Sequence, residues 1–100
     1  MEIKVEKQNA EVTVYLKGRL DTLAAQEVSK ELESLTDDAS GTIIMDCTDM
    51  GYISSSGLRI FLTLRKAAAE KGGKVIIRGI SNDIRSVFMM TGFLNLFEIQ

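Results

Sequence analysis

Two short apolar runs constrain this chain more than any other feature. Thr42-Ile43-Ile44-Met45-Asp46-Cys47 and Lys74-Val75-Ile76-Ile77-Arg78 are almost unbroken stretches of aliphatic, largely β-branched residues. Runs of that length without polar alternation have the pattern of interior strands covered on both faces. Between them, from about Ser55, Leu58, Phe61, Leu62 and Arg65 recur at helical spacing on one side, with Leu64 and Ala68 nearby. Gly72-Gly73 closes that segment, as glycines beyond a helix end do. Strand, helix and strand in that order imply a right-handed crossover and parallel neighbours.

The flanking segments extend the pattern. Ile3, Val5 and Lys7 alternate with Glu2, Lys4 and Glu6, and Val12, Val14 and Leu16 alternate with Thr13, Tyr15 and Lys17. Gln8-Asn9-Ala10 between them is short enough for an antiparallel hairpin. Gly18-Arg19-Leu20-Asp21-Thr22 breaks the alternation, and either Asp21 or Thr22 can cap a following helix. Ala25, Val28, Leu32 and Leu35 then mark one apolar helical face. Thr36 to Gly41 reads as a polar loop, and Thr48 to Ile53 as another. Ser81 caps a short helix carrying Ile84, Val87 and Phe88, Gly92 ends it, and Leu94 to Ile99 forms a final short strand or turn. The expected fold is α/β: a mixed sheet with packed helices in the order β-β-α-β-α-β-α, one domain over residues 1–100. Ile43, Met45, Val75 and Ile77 are expected to be buried.

Composition removes several classes of function. The 100 residues are 45% hydrophobic and 26% charged, an ordinary balance for a folded domain. A net charge of −2 gives no electrostatic case for nucleic acid. No apolar run is long enough to span a bilayer, and the alternating N-terminus lacks a signal-peptide core, so a cytoplasmic location is expected. With no histidine there is no Ser–His or Cys–His pair and no His-containing metal site. The single cysteine, Cys47, reads as a small buried hydrophobe. No cofactor or metal is expected, and no acid–base pair marks an enzyme; Asp46 and Asp49 read as solvated loop acids.

Tyr52-Ile53-Ser54-Ser55-Ser56-Gly57-Leu58 joins the first interior strand to its helix. One serine there is explained by capping, but three followed by glycine are not. A nucleophile elbow would need a glycine where Ser54 stands and a histidine base. A phosphate-cradling loop would need more glycine and a following lysine. A phosphoacceptor fits better. A hydroxyl at a helix start is exposed, and the unpaired N–H groups there favour an anion. Phosphate would change surface charge more than fold.

These segments together resemble the STAS domains, and most closely by pattern the anti-anti-sigma factors. The carrying residues are Asp46 to Ile53, Ser55-Ser56-Gly57-Leu58 at the helix start, Gly18-Arg19-Leu20-Asp21-Thr22, and Ser81 to Gly92 with its Phe88 and Thr91-Gly92-Phe93-Leu94 exit. The likeness covers essentially the whole chain, in order. It implies that Ser55 is the phosphoacceptor and that Asp21, Thr22, Ser54, Ser55, Ser56, Gly57, Leu58 and Arg59 form the partner surface. The implied partners are an anti-sigma factor that is also a GHKL-type serine kinase, and a metal-dependent serine phosphatase that resets the switch. The unmodified protein would sequester the anti-sigma factor and release a sigma factor. A STAS subunit of a lipid-transport or signalling complex, never phosphorylated, is the alternative. Two residues depart from the pattern. Ser54 stands where the family has Asp, and Arg59 where it has Gly. Arg59 lies one turn beyond Ser55, placed either to pair with a phosphate or to obstruct a partner.

Overall fold

The computed structural model describes residues 1–35 and 41–100; the polar loop expected from Thr36 therefore lies outside the described residues except for Gly41. Five strands form one sheet in the spatial order of the chain: β1 (Glu2–Gln8), β2 (Glu11–Leu20), β3 (Thr42–Ile53), β4 (Lys74–Arg78) and β5 (Glu98–Ile99). β1 and β2 are antiparallel and all later pairings are parallel, so the sheet is mixed as expected. Asn9, at φ 56°, makes the hairpin turn in the left-handed region that asparagine tolerates. Three helices follow their strands: α1 (Thr22–Glu33), α2 (Ser55–Glu70) and α3 (Asn82–Thr91). A 3₁₀ turn (Phe93–Asn95) leads into β5, so the C-terminal segment is both turn and strand.

One expected loop is not a loop. β3 continues through Thr48 to Ile53 beside β2, with two shifts of register. Tyr15 pairs with Asp46 but Lys17 with Asp49, and Gly18 pairs with Met50 but Arg19 with Tyr52. Each shift leaves one extra residue on β3, a bulge that resets which side chains point inward. On the helix-facing side the buried residues of β3 therefore run Ile43, Met45, Cys47, then Met50, then Ile53. Period-two alternation is lost twice, which is why the segment reads as irregular.

The sheet has two unlike faces. Val12, Val14, Leu16, Ile43, Met45, Val75 and Ile77 face the helices and join one core with Val28, Leu32, Phe61, Leu64, Ile84 and Phe88. Phe61 meets Phe88 edge-on at 6.2 Å between ring centres, and Phe93 and Phe97 extend the aromatic cluster. Thr13, Ile44 and Ile76 lie on the opposite face, buried but outside that core. Both faces of β3 and β4 therefore bury apolar residues, and on the second face Tyr15, with Lys4 at 6.0 Å and Arg78 at 5.9 Å from its ring centre, is among the side chains of the sheet itself. The apolar stripe of α2 also differs from the expected one. Gly57, Phe61, Leu64 and Ala68 turn inward, while Leu62 and Arg65 are exposed. A helix rich in leucine offers more than one apolar stripe; the charged Arg65 stays at the surface, where its Nε donates to the Leu96 carbonyl at 2.8 Å.

Candidate functional site

Parallel pairing of β2 with β3 brings two helix starts together at one end of the sheet. Leu20 is paired with Ile53, so Asp21 and Ser54 stand side by side as the caps of α1 and α2. Asp21, not Thr22, caps α1: its Oδ1 accepts from the Ala24 N–H at 2.9 Å. Ser54 caps α2 by accepting from the Gly57 N–H at 3.1 Å, and its hydroxyl donates to the Leu20 carbonyl at 3.0 Å. The Ser54 N–H donates to the same carbonyl at 2.9 Å. These bonds tie the start of α2 to the end of β2. Both caps satisfy N–H groups that a helix start otherwise leaves unpaired.

The expected site residues separate into exposed and packed groups. Ser55 is the first residue of α2 and is exposed; Thr22 and Arg59 are exposed too. Asp21, Ser54 and Ser56 are half-buried. Leu58 is half-buried and packs against the core, so it is an interior residue with one edge at the surface. Gly57 is buried. A Cβ there would stand 2.7 Å from Leu20 Cγ and 3.0 Å from Ile53 Cγ1, so the first turn of α2 rests directly on these two side chains. Glycine in this motif is a packing requirement. Ser56, Arg59, Ile60 and Thr63 line an open groove between α2 and α1, faced by Ser29 and Leu32.

Three neighbours escaped the sequence reading. The Arg19 guanidinium stacks over the Tyr52 ring at 4.2 Å, and Leu23, 73% exposed, projects from the first turn of α1. Reading Thr48 to Ile53 as a loop hid the Arg19–Tyr52 pairing, since only the strand register places them side by side. The two aspartates proposed as loop acids also move. Asp46 lies on the face away from the helices, where its Oδ2 accepts from Arg78 Nε at 2.8 Å and its Oδ1 from the Thr48 N–H at 3.0 Å. Burial raises its pKa, but these donors outweigh burial and hold the carboxyl below its ordinary value. Asp49 is an exposed strand residue. Cys47 is wholly buried, and burial, with the Asp46 charge beside it, pushes its thiol up to about 12; it is the inert hydrophobe expected. Among the described residues no group of three or more His, Cys, Asp or Glu side chains is placed to hold a metal, and no helix is long and apolar enough to cross a membrane.

The STAS domain family model matches residues 2–100. The chain belongs to the STAS domain family. It is 26% identical over 99 residues to BtrV of Bordetella bronchiseptica, covering 99% of this chain and 85% of that one. It is 25% identical over 100 residues to the anti-sigma-B factor antagonist of Listeria monocytogenes, covering 100% of this chain and 87% of that one. Among solved structures it resembles the anti-sigma factor antagonist SpoIIAA in its unphosphorylated form, with a TM-score of 0.79 at 20% identity, over 99% of this chain and 87% of the other. The phosphorylated form of the Bacillus protein gives 0.78 at 21% identity, over 99% and 91%. At that identity the likeness is one of fold, and it extends through the five-stranded mixed sheet and its helices.

Proposed function

We propose that this STAS domain is an anti-sigma factor antagonist, a protein-binding switch controlled at Ser55. The observation that carries the reading is the paired helix starts. Ser55 is exposed at the first position of α2, beside a cap bonded into β2 and next to the Asp21-capped start of α1. A phosphate on Ser55 would meet the positive end of α2 without displacing a packed side chain, so the fold would be retained. Its effect would fall on the partner surface, which we assign to Asp21, Thr22, Ser55, Ser56, the exposed edge of Leu58, Arg59, Leu23 and the Arg19–Tyr52 stack. Ser54 and Gly57 support this surface from below. The partner would be an anti-sigma factor with GHKL-type serine kinase activity, and a metal-dependent phosphatase would restore the hydroxyl.

A doubly charged group at such an interface must be desolvated or repelled by partner carboxylates. About 2.7 kcal/mol suffices for a hundredfold loss of affinity. Incubation with a GHKL-type anti-sigma kinase should give tight binding without ATP. With ATP it should give phosphate on Ser55 by mass spectrometry, followed by release. Ser55→Ala should bind constitutively, and Ser55→Asp about a hundredfold more weakly. Phosphate found only at another residue, or undiminished binding of the Ser55-phosphorylated form, rejects the mechanism. Tight binding with no phosphorylation at all favours a STAS subunit of a standing complex.

A further inference from the structure

We propose that Arg59 receives the Ser55 phosphate, so that the modified site is partly neutralised within its own helix; this rests on Ser55 being the phosphoacceptor. Ser55 and Arg59 are four residues apart on α2, which places them one above the other on the same helix face. Both are exposed. Among the described residues the Arg59 guanidinium has no ion-pair or ring partner, in contrast to Arg19 on Tyr52, Arg65 on the Leu96 carbonyl and Arg78 on Asp46. Arg59 also borders the α1–α2 groove with Ser56 and Thr63, so its side chain has open space on that flank.

Phosphoryl transfer forms an ester between Ser55 Oγ and phosphorus, releases the hydroxyl proton and expels a nucleoside diphosphate. The product carries up to two charges at neutral pH. A guanidinium within reach takes two phosphate oxygens in a forked pair and favours the dianion. The helix start favours the same form, but it is common to every serine placed there. Arg59 is the feature that sets this site apart. Pairing draws the phosphate along α2 toward the groove, whose α1 side carries Glu33. Arg59 is thus a positioning residue for the phosphorylated state and has no role in the unmodified fold.

The test installs phosphoserine at position 55 directly in the full chain, by synthesis or by genetic encoding, so it does not depend on any kinase recognising the loop. A failed phosphorylation assay would then count against the proposed function alone, and a failed pairing against this inference alone. The readout is the second ionisation of the phosphate by ³¹P NMR titration. Arg19, Asp21 and Glu27 share one hollow at the start of α1, and Glu33 lines the groove with Arg59; all four are retained in the variants. Arg59→Gln should raise that pKa by about 0.3 unit, as for an exposed helical ion pair. Arg59→Lys should keep part of the effect, and 1 M NaCl should abolish the difference between wild type and Arg59→Gln. Identical titration of wild type and Arg59→Gln, or a difference insensitive to salt, overturns the proposal. Circular dichroism of the unphosphorylated variants should be unchanged, and a change would likewise contradict a role confined to the modified state.

Discussion

At the junction of β2 with α1, the strand ends on an aspartate cap. At the junction of β3 with α2, beside it, the strand passes two bulges and ends on a serine cap. Both caps bind the N–H three residues on. At that third position α1 has Ala24 and α2 has Gly57, both buried. The first junction holds a carboxylate and has room for a methyl group. The second is neutral, closer to its neighbours, and followed by an exposed hydroxyl. The difference teaches that two caps in equivalent positions need not match in chemistry: α1 starts on a carboxylate and α2 on a neutral hydroxyl.

The largest effect should come from removing that closeness. Gly57→Val puts branched carbon into the space held by Leu20 and Ile53, and overpacking of this kind costs about 3 kcal/mol. Gly57→Ala makes the two junctions alike. It should still cost about 1 kcal/mol, because strain outweighs the better helix propensity of alanine. Urea midpoints measure both. A Gly57→Ala protein as stable as wild type would mean that α2 can lift from Leu20, and the contrast with Ala24 would lose its meaning.

Next in size is the bulge. Asp46 Oδ1 holds the Thr48 N–H across the first register shift, and its other oxygen holds Arg78. Asp46→Ala should cost about 1.5 kcal/mol, the low end for charged hydrogen bonds because Arg78 remains a third exposed. The folded carboxyl has a lowered pKa. Its contribution is therefore complete above the unfolded value near 3.8 and is lost as pH falls through the folded value. The stability gap between wild type and Asp46→Ala should be constant from pH 8 to pH 5 and close below about pH 4. A gap that persists unchanged at pH 2 would show that Asp46 acts by packing and not by charge.

These two junctions also mark how far the fold was legible beforehand. Wherever hydrophobic period decides structure, as in Val12 to Leu16, Ile43 to Cys47 and Val75 to Ile77, the strands and their buried residues follow from the pattern alone. The caps were legible because few residue types can accept from a helix start. Thr48 to Ile53 was not, since each bulge shifts the inward phase and a polar clamp such as Asp46–Thr48 looks like loop chemistry. The α2 stripe failed for a different reason. Choosing among several leucines depends on Gly57 meeting Leu20, a contact distant in sequence. At the site, Ser55 and its neighbours were visible as a motif, whereas Arg19, Leu23 and Tyr52 became neighbours only through register.

A smaller effect separates the caps themselves. Asp21→Ala should cost about 1 kcal/mol, the usual loss for a cap. Ser54→Ala should cost somewhat more, about 1.5 kcal/mol, because the hydroxyl also donates to the carbonyl of buried Leu20. Equal costs would show that the bond to β2 adds nothing and that the two caps are interchangeable.

The smallest effect is the most discriminating. Ser54→Asp gives α2 the same cap as α1. A carboxylate at a helix start is worth about 0.3–1 kcal/mol more than a neutral acceptor through the helix dipole. The same carboxylate cannot donate to the Leu20 carbonyl, which now accepts at 3.0 Å from the Ser54 hydroxyl, and it would bring two acceptors together there. The Ser54 N–H bond to Leu20 remains, so that carbonyl keeps one partner. The gain and the loss are of similar size, and the net change should lie within about 0.5 kcal/mol of zero. Denaturant titration at pH 7 in low salt, repeated at 1 M NaCl, resolves the two parts: salt screens the dipole gain and leaves the lost hydrogen bond exposed as a net destabilisation. Stabilisation of 1 kcal/mol or more in low salt would mean that the hydroxyl's second bond has no weight, and that serine at this cap is simply a charge removed from the site.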